Sequence, residues 1–159
     1  KHLKTIQNSY GKTDYFEKYF SFFEDLYSKN WVKLADLNEF MLKWFLKELG
    51  IKTKFLKASD YDFKGTKSDL VLDMCKKLET DLYIFGALGK EYANVIDFEN
   101  ECIEVIFQNY NHPVYPQKFE FFLPNLSILD LIFNCGPKSL DIIMSGNITK
   151  NTLKKFAEK

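Results

Sequence analysis

Through the first fifty positions, apolar residues recur every three to four places. The opening stretch KHLKTIQNSY reads as a helix. From Thr13, DYFEKYFSFFEDLY puts Tyr15, Phe16, Tyr19, Phe20, Phe22, Phe23, Leu26 and Tyr27 on one broad helical face. Thr13 suits the N-cap, and Asp14 suits the positive end of the helix. Asn30 is placed to cap a second helix running to Leu49, with Leu34, Leu37, Met41, Trp44 and Phe45 inward and Gly50 as its stop. The short connection predicts an α-helical hairpin over 1–50.

Beyond Gly50 the period shortens. Residues 53–58 (TKFLKA) read as a strand, 81–86 (DLYIFG) as a buried strand ending in glycine, and 103–109 (IEVIFQN) as a third strand with Ile103, Val105 and Phe107 alternating. Thr66-x-x-Asp69 has the form of a capping box and opens a helix carrying Leu70, Val71, Met74, Cys75 and Leu78 on one face. Strand, helix, strand, short helical piece, strand is the order of a parallel unit with crossover connections. After a proline-rich strap, Ser127-x-x-Asp130 repeats the capping form, and Asp130 reads as its capping residue. Gly136-Pro137 stops that helix, and Pro137 can open another running to Met144. The tail from Ser145 is polar.

The expected class is therefore α/β: a small parallel sheet with flanking helices, preceded by an α-helical hairpin. The expected organisation is a single domain over 1–159, with the hairpin at 1–50, the α/β part at 51–145 and a polar tail at 146–159. Three strands are few for an α/β fold. With a first residue other than methionine, that predicts the C-terminal fragment of a longer protein.

Composition narrows the chemistry. The chain is 46% hydrophobic and 17% aromatic, which places it well away from disorder. Twenty-two basic residues balance twenty-two acidic ones, so no basic excess asks for nucleic acid or an anionic membrane. No apolar run is long enough to span a bilayer. All the basic residues are lysine. Arginine's two-pronged grip on phosphate is missing, and any anion site must use ammonium groups, hydroxyls or backbone N–H groups. Cys75, Cys102 and Cys135 form no CxxC pair, which predicts neither a disulfide framework nor a metal, and points to a reducing cytoplasm.

Three places carry candidate chemistry. Gly86-Ala-Leu-Gly89-Lys90 follows a strand, where ligands bind in open parallel sheets. Its two-residue gap excludes a P-loop, yet Gly86 and Gly89 admit a close backbone approach and Lys90 suits an anion. Thr66 and Ser68, with Lys64 or Lys67, open a helix whose N–H groups suit an anion, though capping alone accounts for Thr66. His112 lies past the third strand among Asn109, Asn111, Tyr115 and Gln117, with Pro113 and Pro116 stiffening the stretch. A lone histidine is more often structural, but its position makes it the candidate general base, with Tyr115 and Gln117 orienting it. Cys135 reads as a buried small hydrophobe rather than a nucleophile.

The order FEKYFSFFEDLY, LNEFMLKWFLKELGIKTK, KGTKSDLVLDMCKKL, DLYIFGALGKEY and HPVYPQ to NCGP resembles the WbqC-like proteins, over about Lys1 to Met144. The 112–137 segment is the most specific part. The family pattern begins with a Gln-Pro-x-Tyr-x-Pro-type stretch that this sequence does not contain. The family's Ser-Gly-x-Gly-Gly-Lys stands here as Phe85-Gly86-Ala87-Leu88-Gly89-Lys90, with a hydroxyl and a glycine replaced.

The resemblance implies a bacterial cytoplasmic enzyme of O-antigen or other surface-polysaccharide biosynthesis, adding an acyl or aminoacyl group to a nucleotide-linked amino sugar. On that reading His112, Tyr115 and Gln117 are catalytic. Gly86, Gly89, Lys90, Thr66 and Asn109 bind substrate, and no metal or cofactor is expected. The alternative is a non-catalytic binding or assembly module, with the aromatic helix at 13–27 available for contact with a second copy.

Overall fold

The structure is a computed structural model that describes residues 1–148, so most of the predicted tail lies outside the described residues. The helices are α1 (His2–Tyr10), α2 (Phe16–Ser28), α3 (Leu34–Glu48), α4 (Lys67–Lys77), α5 (Val95–Asn100), α6 (Ile128–Cys135) and α7 (Ser139–Ser145). The strands are β1 (Leu82–Phe85) and β2 (Glu104–Phe107). The chain divides into two compact units: residues 1–53 with 112–146, and residues 54–111 with Asn147 and Ile148.

The first unit is helical. Phe16, Tyr19, Phe23 and Leu26 of α2 are buried together with Ile6, Phe45, Ile132 and Phe133. This is the inward face that the spacing predicts, spent on core. Trp44 of α3 stacks on Phe22 at 3.9 Å between ring centroids. Phe133 reaches from α6 to Tyr10, Phe16 and Phe23. Two helix starts differ from expectation. The Thr13 hydroxyl donates to Tyr10 O at 2.7 Å, which closes α1 instead of capping α2. α3 begins at Leu34 rather than at Asn30.

The second unit holds a two-stranded parallel sheet, with Leu82 opposite Glu104 and Phe85 opposite Phe107. Cys75, Phe85, Phe98 and Ile103 form its core. The predicted strand at 53–58 is corrected. Those residues form no strand with any described segment and are exposed throughout. The physical reason is in the pattern: Phe55 and Leu56 are adjacent, so they cannot share one face of a pleat, and lysines flank them. Residues 51–145 were expected to stay together as the α/β part. The strap and α6 join the N-terminal helices instead, because Phe133 completes the aromatic core there.

Candidate functional site

In the second unit, the loops leaving the sheet gather at its carboxyl end. β1 and β2 are parallel and in register, so Gly86 and Asn109 emerge from the same end of neighbouring strands. The Gln108 N–H donates to Phe85 O at 2.8 Å, carrying the ladder to that rim. Residues Ala87–Glu91 then form a 3₁₀ turn. Gly89 is buried, and a Cβ there would come within 2.5 Å of the Phe85 Cβ, so its missing side chain serves packing against the strand. Gly86 is exposed and has open space where a Cβ would stand. The Lys90 ammonium lies over the Phe107 ring, 5.8 Å from its centroid, and has no carboxylate partner among the described residues.

Thr66 occupies the N-cap position of α4 without the side-chain bond of a capping box. The neighbouring Ser68 hydroxyl is buried and accepts the Asn94 N–H at 2.9 Å, tying the start of α4 to the end of the 86–94 loop. Gly86, Lys90 and Asn109 thus follow the same end of the sheet, and Ser68, two residues beyond Thr66, is tied to Asn94 at the close of that loop.

His112, Tyr115 and Gln117 belong to the first unit. They surround a feature that sequence reasoning missed. Asp130 is not a solvent-facing cap; its side chain turns inward and is 2% exposed. Its Oδ2 accepts from the Tyr115 hydroxyl and from Gln117 Nε2, both at 2.9 Å. Its Oδ1 accepts from Asn134 Nδ2 at 3.2 Å, and Tyr10 lies within reach of the same charge. Burial, reinforced by the Asp130 charge, pushes the Tyr115 phenol up to about 12, and Tyr10 likewise to about 12. Both phenols stay protonated at neutral pH, and the Tyr115 hydroxyl acts as a hydrogen-bond donor.

The same network fastens the strap. Gln117 brackets Leu123: its Nε2 donates to Leu123 O and its Oε1 accepts the Leu123 N–H. Asn134 Oδ1 accepts the Lys118 N–H at 3.0 Å. His112 Nε2 accepts the Asn125 N–H at 3.2 Å, so the proton of the neutral ring resides on Nδ1. That Nδ1 is buried with no hydrogen-bond partner among the described residues. Tyr115 and Gln117 thus give their hydrogen bonds to Asp130 rather than to His112. Asn125 has φ +60°, a left-handed backbone that asparagine tolerates well. Cys135 is buried as expected, and burial pushes its thiol up.

Beside this network opens a cleft of about 150 Å³. Lys12, Thr13 and Asp14 of the α1–α2 turn form one wall; Pro116, Gln117, Lys118 and Asn134 form the other. No three His, Cys, Asp or Glu side chains among the described residues are grouped to hold a metal ion. No described helix is long and apolar enough to cross a membrane.

Comparison with known proteins adds a family and a relative. The profile of the WbqC-like protein family matches residues 1–142. An uncharacterized protein of Mycobacterium tuberculosis, Rv1507c, is 25% identical over 144 residues. That match covers 89% of this chain and 62% of the relative, so the chain spans under two thirds of the relative's length. No solved structure matches the chain.

Proposed function

Because the chain belongs to the WbqC-like protein family, we propose that it serves bacterial surface-polysaccharide (O-antigen) biosynthesis in the cytoplasm, transferring an acyl or aminoacyl group to a nucleotide-linked amino sugar. The observation that carries this reading is the rim of the second unit. There an exposed glycine, an ammonium group without a carboxylate partner among the described residues, and an asparagine follow the carboxyl ends of parallel strands, and the start of α4 is tied to the same loop. Open parallel sheets bind phosphorylated ligands at such rims. Gly86 and Gly89 shape the turn, Lys90 faces phosphate, and Thr66 and Asn109 supply a hydroxyl and an amide for the sugar.

His112 is the proposed base for the sugar amine. Its Nε2 lone pair is held by the Asn125 N–H, so proton abstraction requires that bond to open. Tyr115 and Gln117 act on the strap through Asp130 and are positioning residues.

The test is turnover with UDP- and dTDP-linked amino sugars and a panel of acyl donors, read by mass spectrometry on the full-length protein. His112→Ala is expected to remove turnover while leaving sugar-nucleotide affinity within about twofold. Lys90→Ala is expected to weaken nucleotide-sugar binding about tenfold to a hundredfold, the range for one lost charge-assisted hydrogen bond. Turnover unchanged in His112→Ala refutes the base assignment.

The second reading is a non-catalytic binding or assembly module. The replaced hydroxyl and glycine at Phe85 and Leu88 favour it. Calorimetry separates the two: nucleotide-sugar binding without turnover under any donor supports the module.

A further inference from the structure

The cleft beside the Asp130 network has a chemistry of its own. Two lysines, Lys12 and Lys118, line it against one acid, Asp14. In a chain with no net charge and no arginine, that is a local positive excess built from ammonium groups. Neither lysine has a carboxylate partner among the described residues. Lys118 lies 5.8 Å from the Phe119 ring centroid, near the outer limit of a cation–π contact, which leaves its ammonium available.

The wall behind these lysines is preorganised. Gln117 and Asn134 present amides whose N–H groups are committed to Asp130 and to backbone carbonyls, and whose oxygens already accept backbone N–H groups. Their rotamers are fixed, and their donors are spent. With the Thr13 hydroxyl donating to Tyr10 O, the side-chain donors left among the lining residues are the two ammonium groups. The volume, about 150 Å³, is roughly half or less of what a drug-sized ligand occupies. It suits a small anion, or the anionic end of a larger molecule.

We infer that this cleft, between the α1–α2 turn and the strap, binds an oxyanion: a phosphate or carboxylate group clamped between Lys12 and Lys118. This site is separate in chain and in residues from the rim assigned to the nucleotide sugar, and it stands whether or not the transferase reading does. Asp14 on the same wall limits the affinity and tunes the site toward ligands that also carry a hydroxyl or amine.

Amide spectra of the ¹⁵N-labelled full chain test the inference. Inorganic phosphate and acetate are titrated separately, each against sodium chloride at matched ionic strength. Saturable shifts are expected at the amides of 12–14 and 117–118. Lys12→Gln and Lys118→Gln each weaken binding about twofold to fivefold, the range for an exposed ion pair, and the double variant abolishes saturation. Asp14→Asn strengthens it by a similar factor. Phosphate binding more tightly than acetate identifies a phosphoryl ligand; acetate matching or exceeding phosphate identifies a carboxylate. Shifts that equal those of chloride, or that survive the double lysine replacement, overturn the site. These lysines are exposed, so the variants retain the fold, and transferase turnover is a separate readout.

Discussion

Asp130 gathers hydrogen bonds from Tyr115, Gln117 and Asn134 onto one buried carboxylate, whose charge also reaches Tyr10. Removing it strands several buried donors at once, and an unsatisfied buried donor costs more than a made bond contributes. Asp130→Ala is expected to lower unfolding free energy by about 2–4 kcal/mol, measured by urea denaturation. Tyr10 and Tyr115 give this network a pH signature. Both phenols titrate near 12 in the folded chain against about 10 when unfolded. The folded state then holds its protons more tightly, so this contribution is intact below about pH 10 and is lost as pH rises toward 12. Ultraviolet titration of the tyrosines should show a late-ionising pair, with unfolding setting in across that window. Titration of every tyrosine near 10 with no loss of structure would contradict the network. Little of it was legible in the sequence. Ser127-x-x-Asp130 has a helix-start spacing that implies a solvent-facing cap. Tyr115 and Gln117 lie 15 and 13 residues upstream of their partner, and no local pattern encodes such a pairing. The strap's candidacy was legible, because its prolines and polar residues stand together.

At the scale of elements, α6 depends on how it ends. Gly136 has φ +52° and ψ −125°, a backbone open to glycine and costly for other residues. A Cβ at this position would also meet the Tyr15 ring at 2.4 Å. The Tyr15 backbone is anchored there by its N–H donating to Phe133 O at 3.2 Å. Gly136→Ala should cost about 2–4 kcal/mol, combining backbone strain with the clash, and should lower Tm in a thermal melt. A variant within about 0.5 kcal/mol of the parent would show that Tyr15 yields freely. Helices were read well from their period because each stripe of apolar residues is a local property. Strands were read less well. A strand is completed by its neighbour, and 53–58 has β-forming residues but lies outside the two-stranded sheet of the described residues. The parallel pair at 82–85 and 104–107 emerged because both segments are apolar enough to be buried and are separated by a helical crossover.

On the scale of the whole chain, residues 54–111 leave the helical unit and residues 112–146 return to it. Chain order alone places the strap with the sheet that precedes it. Core composition decides otherwise: Ile132 and Phe133 bury among the aromatics of α2, while Phe85 and Phe98 bury with Cys75 and Ile103 in a core of their own. Two cores imply that a lesion in one need not be felt equally in the other. Asp130→Ala provides the probe, since its partners all lie in the first unit. Native-state hydrogen exchange of that variant should speed the slow amides of α1, α2 and α6 about a hundredfold, the factor matching a loss of ~3 kcal/mol. The β1–β2 ladder amides should change by less than about tenfold, because their opening is governed by the Phe85–Phe98 core. Equal acceleration in both sets would mean that the two cores open together as one cooperative unit, and the division drawn from packing would not hold in energetic terms.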